Sequence, residues 1–401
     1  MSLAEIDLLD VAQYAASGPP HDLFRLLRAE DPVHWHPERD GAGFWAVTRY
    51  DDVVRVSRDS QTFSSWSGGT MIADSPPDQL AMMRLMMLNM DPPQHTKLRS
   101  IVNKGFTPRM VQRLHGRIGE LARAIVDAVA PRGECDFVTD VAGELPSYVI
   151  AELMGIPLAD GRRLYELTER MHTAVATPAG IADVQAAIAE MMSYSASVRA
   201  AKRATPRDDI ASVLLSADVD GERLSELEFD MFFLLLINAG GDTTRNLVAG
   251  GMLELVHRPE ERARLAADPG LLASAIEEML RWCTPVVHFR RTATCDVELR
   301  GRSIAAGQKV VVFYASANRD ESVFPDPDRF DVARTPNEHV AFGGGGTHFC
   351  LGASLARLEM RTLFGEVLRR LPDLELAGPI ERLPSTFING PRRMPVFFTR
   401  S

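Results

Sequence analysis

One stretch near the C-terminus, Phe342–Arg357, constrains the fold of this chain more than any other. It begins Phe-Gly-Gly-Gly-Gly-Thr-His-Phe-Cys, and a run of glycines favours neither helix nor strand. The backbone there must turn tightly or lie against a flat partner. Cys350 follows, and Leu351–Arg361 is predicted to be helical. A thiolate at a helix N-terminus is stabilised by the free N–H groups and the macrodipole, and such a sulfur suits a soft or redox-active metal.

A phosphate loop, a zinc site and a buried structural cysteine are the alternatives for this stretch. A glycine-rich phosphate loop would need Lys-Ser/Thr after the glycines, or a G-x-G-x-x-G that opens a helix, and neither is present. A zinc site made by His339, His348 and Cys350 lacks the paired spacing of such sites. A buried structural role is the ordinary one for a single cysteine.

The stretch resembles the haem-thiolate loop of the cytochrome P450 monooxygenases, in which a cysteine ligates the haem iron. The resemblance implies that Cys350 is the iron ligand and that His348 contacts an anionic edge of haem b. It also places Phe342 and Gly352 beside the cofactor. The common family pattern has its aromatic residue at the position of Gly343, whereas Phe342 stands one residue earlier here. Some bacterial branches, including mycobacterial members that oxidise sterols and lipids, share this departure.

The length and amino-acid composition limit the kinds of fold that the chain can adopt. Of the 401 residues 45% are apolar, enough for a large core, and no low-complexity linker, charge run or repeat divides the chain. We therefore expect one compact domain over residues 1–401. The resemblance implies a mainly α (α+β) cytochrome P450 fold, a helical prism with small β-sheets.

The net charge, the cysteines and the N-terminal residues limit the expected binding partners and cellular location. A net charge of −10 argues against nucleic acid. Four scattered cysteines without a disulfide framework indicate a reducing cytosol. Residues 1–20 show no apolar run long enough for a signal peptide or a membrane anchor. We expect a cytoplasmic monomer.

The N-terminal hundred residues contain a predicted hairpin and an unusual methionine stripe. Pro32–His36 and Gly43–Val47 alternate and are rich in aromatics, which predicts two paired strands. Asp51–Arg58 is predicted to be a helix capped by Asp51. Five methionines then fall at helical spacing and are expected on one helix face: Met82, Met83, Met86, Met87 and Met90.

The methionine stripe has two interpretations, which overlap. It is a core stripe, or it is an adaptable lining for an irregular apolar ligand. The resemblance makes this segment the loop over the distal side of the haem, and it makes Met82, Met86 and Met87 candidates for the substrate pocket.

A proline-rich start precedes the next predicted helix, on which His95 and Arg99 share a face. A solvated salt-bridge face would explain them. The segment resembles the C-helix of the family, and the resemblance implies that both side chains hold haem propionates.

The long predicted helix Ser225–His257 carries the second strong signal. Ser225 and Glu228 form a predicted capping box. Mid-helix comes Ala-Gly-Gly-Asp-Thr-Thr, and each glycine in a buried helix costs about 1 kcal/mol relative to Ala. Such glycines make sense if something approaches the backbone closely. The run resembles the oxygen-activation motif of the family, which implies the following roles: Ala239 and Gly240 beside the haem, and Asp242 and Thr243 as catalytic residues.

The C-terminal third holds a predicted structural triad. Glu278 and Arg281 share a helix face, and the resemblance adds Arg329, from Pro-Asp-Arg-Phe, as the third member. Arg291 matches a propionate arginine of the family, with Arg290 as a rival one position away. Two strand turns of the family supply further pocket candidates: Val286, Val287, Phe289, Phe387 and Ile388.

The resemblance implies a haem-thiolate monooxygenase that hydroxylates a lipophilic small molecule. Steroids, terpenoids, fatty acids and polyketides all qualify, and the reaction would use O2 and electrons from NAD(P)H. A peroxide-driven peroxygenase and a non-catalytic haem sensor are the alternatives, and the acid–alcohol pair counts against both. A ferredoxin-type donor with its reductase is expected to dock on a basic patch composed of Lys97, Lys104, Arg109, Arg113 and Arg361.

Overall fold

The computed structural model describes residues 3–105, 108–173, 178–219 and 222–401. The chain is mainly helical with small sheets, as the sequence predicts. The α-helices, numbered in chain order, are α1 Val11–Ser17, α2 His21–Glu30, α3 Tyr50–Arg58, α4 Pro77–Met83, α5 Gln94–Gly105, α6 Pro108–Val129, α7 Glu144–Met154, α8 Leu158–Thr173, α9 Pro178–Ala204, α10 Ile210–Ser216, α11 Glu226–His257, α12 Pro259–Ala267, α13 Leu272–Cys283, α14 Tyr314–Ala317 and α15 Ala353–Arg370.

The β-strands are short and are numbered in the same way. They are β1 Val33–His36, β2 Phe44–Val47, β3 Phe63–Ser64, β4 Glu134–Asp136, β5 Asp218–Val219, β6 Glu222–Arg223, β7 His288–Ala293, β8 Val297–Leu299, β9 Arg302–Ile304, β10 Lys309–Phe313, β11 Glu375–Leu376, β12 Glu381–Arg382, β13 Pro391–Arg393 and β14 Pro395–Phe397.

The chain folds into two compact units. The first comprises Met1–Thr96, Asp268–Cys350 and Arg382–Gly390, and the second comprises Lys97–Ala267, Leu351–Glu381 and Pro391–Ser401. The single domain expected over residues 1–401 stays a prediction.

The first unit is built on a five-stranded sheet in the order β1-β2-β10-β7-β3. β10 reads Lys-Val-Val-Val-Phe and is buried along its whole length, because both of its faces are covered. Val310 and Val312 pack in one apolar cluster, while Val311 and Phe313 pack in another. This strict alternation, which follows from the strand period of two, sets the direction of every side chain on the neighbouring β7.

The predicted N-terminal hairpin is confirmed, since β1 pairs antiparallel with β2 from Val33 opposite Val47. The predicted helix α3 is also present, but its cap is not Asp51. The helix begins after Arg49, and the carboxylate of Asp320 accepts the Tyr50 N–H at 2.8 Å. A residue distant in sequence therefore does the capping.

The predicted methionine stripe does not form one helix face, so this prediction is wrong. α4 ends at Met83, and the chain turns before a short 3-10 helix, Met87–Asn89. The Asn89 amide nitrogen donates to the Met83 carbonyl at 2.9 Å, which stabilises the turn. Met87 is buried, whereas Met82 is 41% exposed.

The second unit is built around α11, which packs on α7, α8 and α9, while α15 packs on α6. The predicted capping box is confirmed: the Glu228 N–H donates to Ser225 Oγ, and the Ser225 N–H donates to Glu228 Oε2 at 2.8 Å. The helix has 32 residues and is thus roughly 48 Å long. Among the described residues, no helix is long and apolar enough to cross a membrane.

Candidate cofactor and substrate site

The glycine run forms a loop that lies against α3 in the first unit. Gly343, Gly345 and Gly346 have φ values of 93°, 88° and 75°, a region that side-chain-bearing residues rarely adopt. A Cβ at Gly346 would lie 2.8 Å from the Arg58 Cα, and one at Gly344 would lie 2.8 Å from Ser57 Oγ. Both the conformation and the close approach therefore require glycine.

Cys350 ends this loop. Its N–H donates to the Phe342 carbonyl at 2.9 Å, which closes the loop, and the residue is exposed. α15 follows with Gly352 as its N-cap, so the helix begins two residues later than predicted. A Cβ at Gly352 would meet no atom within 4 Å. The backbone at Gly352 therefore borders open space.

The four cysteines form no disulfide and differ in their surroundings. Cys135 and Cys283 are buried, and Cys295 and Cys350 are exposed. Burial, with a smaller contribution from nearby Asp140, raises the pKa of Cys135 to about 12, so this thiol stays protonated at neutral pH. Among the four, only Cys350 combines exposure with a position just before a helix N-terminus.

The structure brings His95 and His348 together in the first unit. Their ring centroids are 4.5 Å apart in an edge-to-face arrangement, and His95 is buried. Ser65 Oγ lies 3.2 Å from His348 Nε2. The two imidazoles therefore lie close to each other, and their binding to one ligand stays a prediction. Arg99 lies one turn after His95 on α5 and is half-buried.

Arg290 and Arg291 differ in the groups that their side chains contact. Arg290 donates to Asp74 Oδ1 at 2.7 Å and forms an ion pair with it. Arg291 is buried and donates to the Arg290 carbonyl at 2.8 Å; within the described residues no carboxylate forms an ion pair with it. Burial lowers the pKa of Arg291, with the distant Tyr314 and Asp91 opposing this effect. A buried cation of this kind favours an anionic ligand, so Arg291 suits a propionate better than Arg290 does.

The predicted strand turns of the substrate pocket lie together in the first unit. Val286 forms a β-bridge with Ile388, and the Val287 N–H donates to the Phe387 carbonyl at 2.9 Å. The rings of Phe289 and Phe387 are 5.5 Å apart. Val287 is fully buried within the core of this unit, so it contributes its backbone rather than its side chain.

The middle of α11 carries an exposed stripe in a helix that is otherwise buried. Ala239 is exposed, and Leu235, Asn238 and Thr243 are half-buried, at spacings of one helical turn. The Thr243 hydroxyl donates to the Ala239 carbonyl at 2.9 Å. Such side-chain to backbone bonds bend a helix locally.

Gly240 and Gly241, two of the four glycines of α11, face other helices of the second unit. A Cβ at Gly240 would lie 3.1 Å from Ile150 Cδ1 on α7, and one at Gly241 would lie 3.5 Å from the Tyr165 ring on α8. The close approach that the sequence predicted is therefore made by α7 and α8. Ala239 lies on the exposed stripe and Gly240 is half-buried, and the place of both residues beside the haem stays a prediction.

Asp242 belongs to a buried charge network that sequence reasoning missed. Its Oδ1 lies 3.6 Å from Arg245 Nη2, and both side chains are 2% exposed. Arg245 also lies 5.1 Å above the Tyr165 ring, hydrogen bonds to the Tyr165 hydroxyl, and lies 3.6 Å from Glu169. The sequence feature that indicates this network is Arg245, which follows Asp242 by three residues on a buried helix. A buried arginine needs such partners.

The structural triad forms, but with Arg334 in place of Arg329. Glu278 accepts from Arg281 Nε at 2.8 Å and from Arg334 Nε at 3.1 Å. Arg329 is exposed, because Phe330 beside it turns inward and packs edge-on against Trp282 at 5.6 Å. The Arg329 carbonyl accepts from Arg281 and Arg334, so only the backbone of this residue joins the network.

The zinc alternative fails on geometry. His339 Nε2 lies 3.1 Å from Glu277 Oε2, which already engages this imidazole. In the parts of the chain that the structure describes, no group of three His, Cys, Asp or Glu side chains could hold a metal ion. A single thiolate would suit a haem iron, because the porphyrin would supply the iron with nitrogen ligands.

Comparison with known proteins agrees with this chemistry. The family model "Cytochrome P450" matches residues 270–376. A methyl-branched lipid omega-hydroxylase of Mycobacterium tuberculosis (strain ATCC 25618 / H37Rv) is 42% identical over 412 residues, covering 98% of this chain and 95% of that protein. A steroid C26-monooxygenase of the same strain is 40% identical over 410 residues, covering 98% and 92%. The structure of a Mycobacterium marinum cytochrome P450 in complex with pseudoionone has a TM-score of 0.92 at 41% identity, covering 98% of each chain.

The chain belongs to the cytochrome P450 family. Its fold is the cytochrome P450 fold, as predicted. Within that family it is a monooxygenase, an oxidoreductase that uses haem and O2. The residues present fit the haem. An exposed thiol follows a glycine loop, a buried arginine lacks a carboxylate partner among the described residues, and two imidazoles lie side by side.

Proposed function

We propose that this enzyme hydroxylates a branched, lipophilic small molecule, with electrons passed from NAD(P)H through a ferredoxin-type donor and its reductase. One oxygen atom of O2 enters a C–H bond and the other leaves as water, with two protons and two electrons consumed. The observation that carries the proposal is the placement of Cys350 at the end of a glycine loop that accepts no side chain.

The haem, when bound, supplies the activation of O2. We assign Cys350 as its thiolate ligand, and Arg291, His95, His348 and Arg99 as the groups that hold its propionates. Bidentate donation by an arginine suits a carboxylate, and imidazole N–H groups add further hydrogen bonds.

Proton supply is assigned to α11. The Thr243 hydroxyl lies on the exposed stripe and is held by the Ala239 carbonyl, so its proton position is set by the helix. The buried Asp242 carboxylate is held by Arg245. We assign Thr243 as a proton donor and Asp242, next to it in the sequence, as a carboxylate that would relay protons through water.

The substrate class rests on apolar side chains and on the relatives. The first unit presents Val286, Phe289, Phe387 and Ile388 around one strand turn, with the adaptable Met87 in the same unit. The relatives are named for a methyl-branched lipid and for a steroid. A branched aliphatic chain is the chemistry that both names share.

The assignment of Cys350 is tested with serine variants. Cys350→Ser should lose the red-shifted absorption band of the reduced carbonyl complex, because a serine oxygen cannot supply the thiolate electron density. Cys295→Ser is the matched control, since that cysteine is also exposed and forms no disulfide. The assignment is wrong if Cys350→Ser keeps the band, or if Cys295→Ser is the variant that abolishes it.

The electron donor is tested by charge reversal at Lys97, which is exposed on the second unit, as is Arg361. The side chains of Lys104, Arg109 and Arg113 lie outside the described residues. Lys97→Glu should raise the concentration of an acidic ferredoxin needed for half-maximal reduction by roughly 3- to 10-fold, because steering acts on the association rate. It should also weaken the salt dependence of reduction. The exposed Arg39 provides a control, as Arg39→Glu, and equal effects at both positions would contradict the proposed patch.

A further inference from the structure

Two buried cations lie side by side on one face of the sheet in the first unit. Arg290 on β7 and Lys309 on β10 are each 4% exposed, and Lys309 pairs opposite Thr292, two residues from Arg290. One carboxylate bonds to both cations: Asp74 Oδ1 lies 2.7 Å from Arg290 Nη1, and Asp74 Oδ2 lies 2.7 Å from Lys309 Nζ. The Asp74 side chain is 56% exposed. A solvent-facing acid therefore forms ion pairs with two cations that are almost fully buried.

The polypeptide around Asp74 wraps the Arg290 guanidinium. We call residues 68–74 the strap segment. The Arg290 N–H donates to the Thr70 carbonyl at 2.8 Å, and Arg290 Nη1 donates to the Ile72 carbonyl at 3.2 Å. A Cβ at Gly68 would lie 2.2 Å from Arg290 Nη2, so only glycine permits this contact. Arg290 therefore holds the strap segment at three points along its length.

The charges around the strap segment balance only when Asp74 is in place. Glu38 Oε2 lies 2.7 Å from Lys309 Nζ and is nearly buried, so it compensates the lysine. Within the described residues, Asp74 is the carboxylate that pairs with Arg290. If Asp74 left, Arg290 would stay buried without a carboxylate, which is unfavourable. The pair is exposed on the side of Asp74, so dissolved salt reaches and weakens it.

The strap segment is connected to the methionine-containing residues that follow it. The Thr70 N–H and hydroxyl donate to Asn89 Oδ1 at 3.1 and 2.9 Å, and the Asn89 amide donates to the Met83 carbonyl. A displacement of Thr70 removes both acceptor contacts of Asn89. Whether residues 83–90 keep a single conformation therefore depends on whether the strap segment does.

We propose that Asp74 is a positioning residue: it latches the strap segment onto Arg290 and Lys309, and release of this latch admits the substrate. The role in substrate admission rests on the proposed function, since family resemblance makes residues 68–90 the loop over the substrate side of the haem. The latch itself rests only on contacts within the first unit.

Ionic strength rather than pH controls the latch near neutrality. Burial acts to raise the pKa of Asp74, but the hydrogen bonds and charges of Lys309 and Arg290 outweigh it and lower the pKa. The carboxylate is therefore fully charged at neutral pH. The charged groups around it are Arg290, Lys309 and Glu38.

The latch is tested by hydrogen–deuterium exchange of residues 66–76 in the holoenzyme without substrate. Asp74→Asn should speed exchange in this segment by roughly 10-fold, because a partly exposed charge pair is lost. Asp74→Glu should restore most of the protection. Raising the salt concentration should speed exchange in the wild type and leave Asp74→Asn unchanged. The exposed Asp78 on α4 provides the matched control, as Asp78→Asn.

Substrate admission is measured separately with 4-phenylimidazole, a probe that binds haem iron directly. Asp74→Asn should raise its association rate severalfold, and with a turned-over substrate KM should change while kcat is kept. Unchanged exchange in both Asp74→Asn and high salt would overturn the latch. Faster exchange with an unchanged association rate would overturn the role in admission. A failure of the thiolate band in the wild type would overturn the proposed function and leave the exchange result standing.

Discussion

Replacement of Glu278 by Gln should lower the free energy of unfolding by about 3–5 kcal/mol, the usual cost of removing one partner from a buried ion pair. Glu278 and Arg281 are both 0% exposed, with Nε and Oε2 2.8 Å apart. The carboxylate also accepts from Arg334 and from the Asp331 N–H at 2.9 Å. Glutamine keeps the volume but removes the charge, so two guanidinium groups stay buried without a carboxylate. Urea unfolding of the holoenzyme measures the loss.

The control has the same spacing in a different environment. Arg117 and Glu120 are also three residues apart on a helix, with a 2.8 Å contact, but their side chains are 42% and 59% exposed. Glu120→Gln should cost less than about 1 kcal/mol, because water solvates both groups. Equal costs for the two variants would show that burial of the Glu278 network contributes nothing.

The pH dependence of stability provides a second test of the same network. Burial acts to raise the pKa of Glu278, but Arg281, the Asp331 N–H and Arg334 together lower it below its ordinary value. A lowered folded-state pKa stabilises the fold above the unfolded-state value of about 4.3, and this stability is lost as pH falls through the folded-state pKa. Glu278→Gln should therefore flatten the acid side of the stability curve.

Local patterns in the sequence were enough to predict the elements that local physics determines. The capping box at Ser225 requires two side chains three residues apart, and the structure shows both of its bonds. The glycine loop follows from backbone conformation, and three of its glycines have positive φ. The hairpin follows from alternation. None of these elements needs a distant partner to be recognised.

The contacts that the sequence did not predict join residues far apart in the chain. Arg290 and Asp74 are separated by 216 residues, and no sequence motif near either residue identifies the other as its partner. Asp320 caps α3 from 270 residues away, so the nearby Asp51 was the wrong choice. Gly240 and Gly241 of α11 correctly indicated a close approach, but the identity of Ile150 as the approaching group depends on helix packing.

Two predictions were wrong because the spacing of residues in a motif does not show how their side chains pack. Arg329 stands in the expected tetrapeptide, but Phe330 takes the inward position and Arg334 reaches Glu278. The methionines have helical spacing, but α4 ends at Met83, where the Asn89 side chain binds the backbone. In both cases the contacts of another side chain, Arg334 or Asn89, are not evident from the spacing of the motif.

Thr243→Ala should separate oxygen consumption from product formation. The hydroxyl is half-buried on the exposed stripe of α11 and donates to the Ala239 carbonyl, so its loss should cost only about 1 kcal/mol of stability. Haem content and substrate binding should therefore be kept. A positioned proton donor contributes roughly 10²–10⁴ to a rate, so product formed per NAD(P)H should fall at least severalfold. The missing reducing equivalents should appear as hydrogen peroxide.

Thr244 and serine provide the controls for this role. Thr244 is the adjacent threonine and is 5% exposed, so Thr244→Val removes a hydroxyl from the same helix at a buried position. It should change stability but not the product formed per NAD(P)H. Thr243→Ser keeps a hydroxyl within reach of the Ala239 carbonyl and should recover most of the product, because the proton rather than the methyl group is needed. A Thr243→Ala enzyme that forms wild-type product per NAD(P)H would mean that protons reach the oxygen by a route that bypasses this hydroxyl. Asp242, held by Arg245 in the second unit, would then be the group to test next.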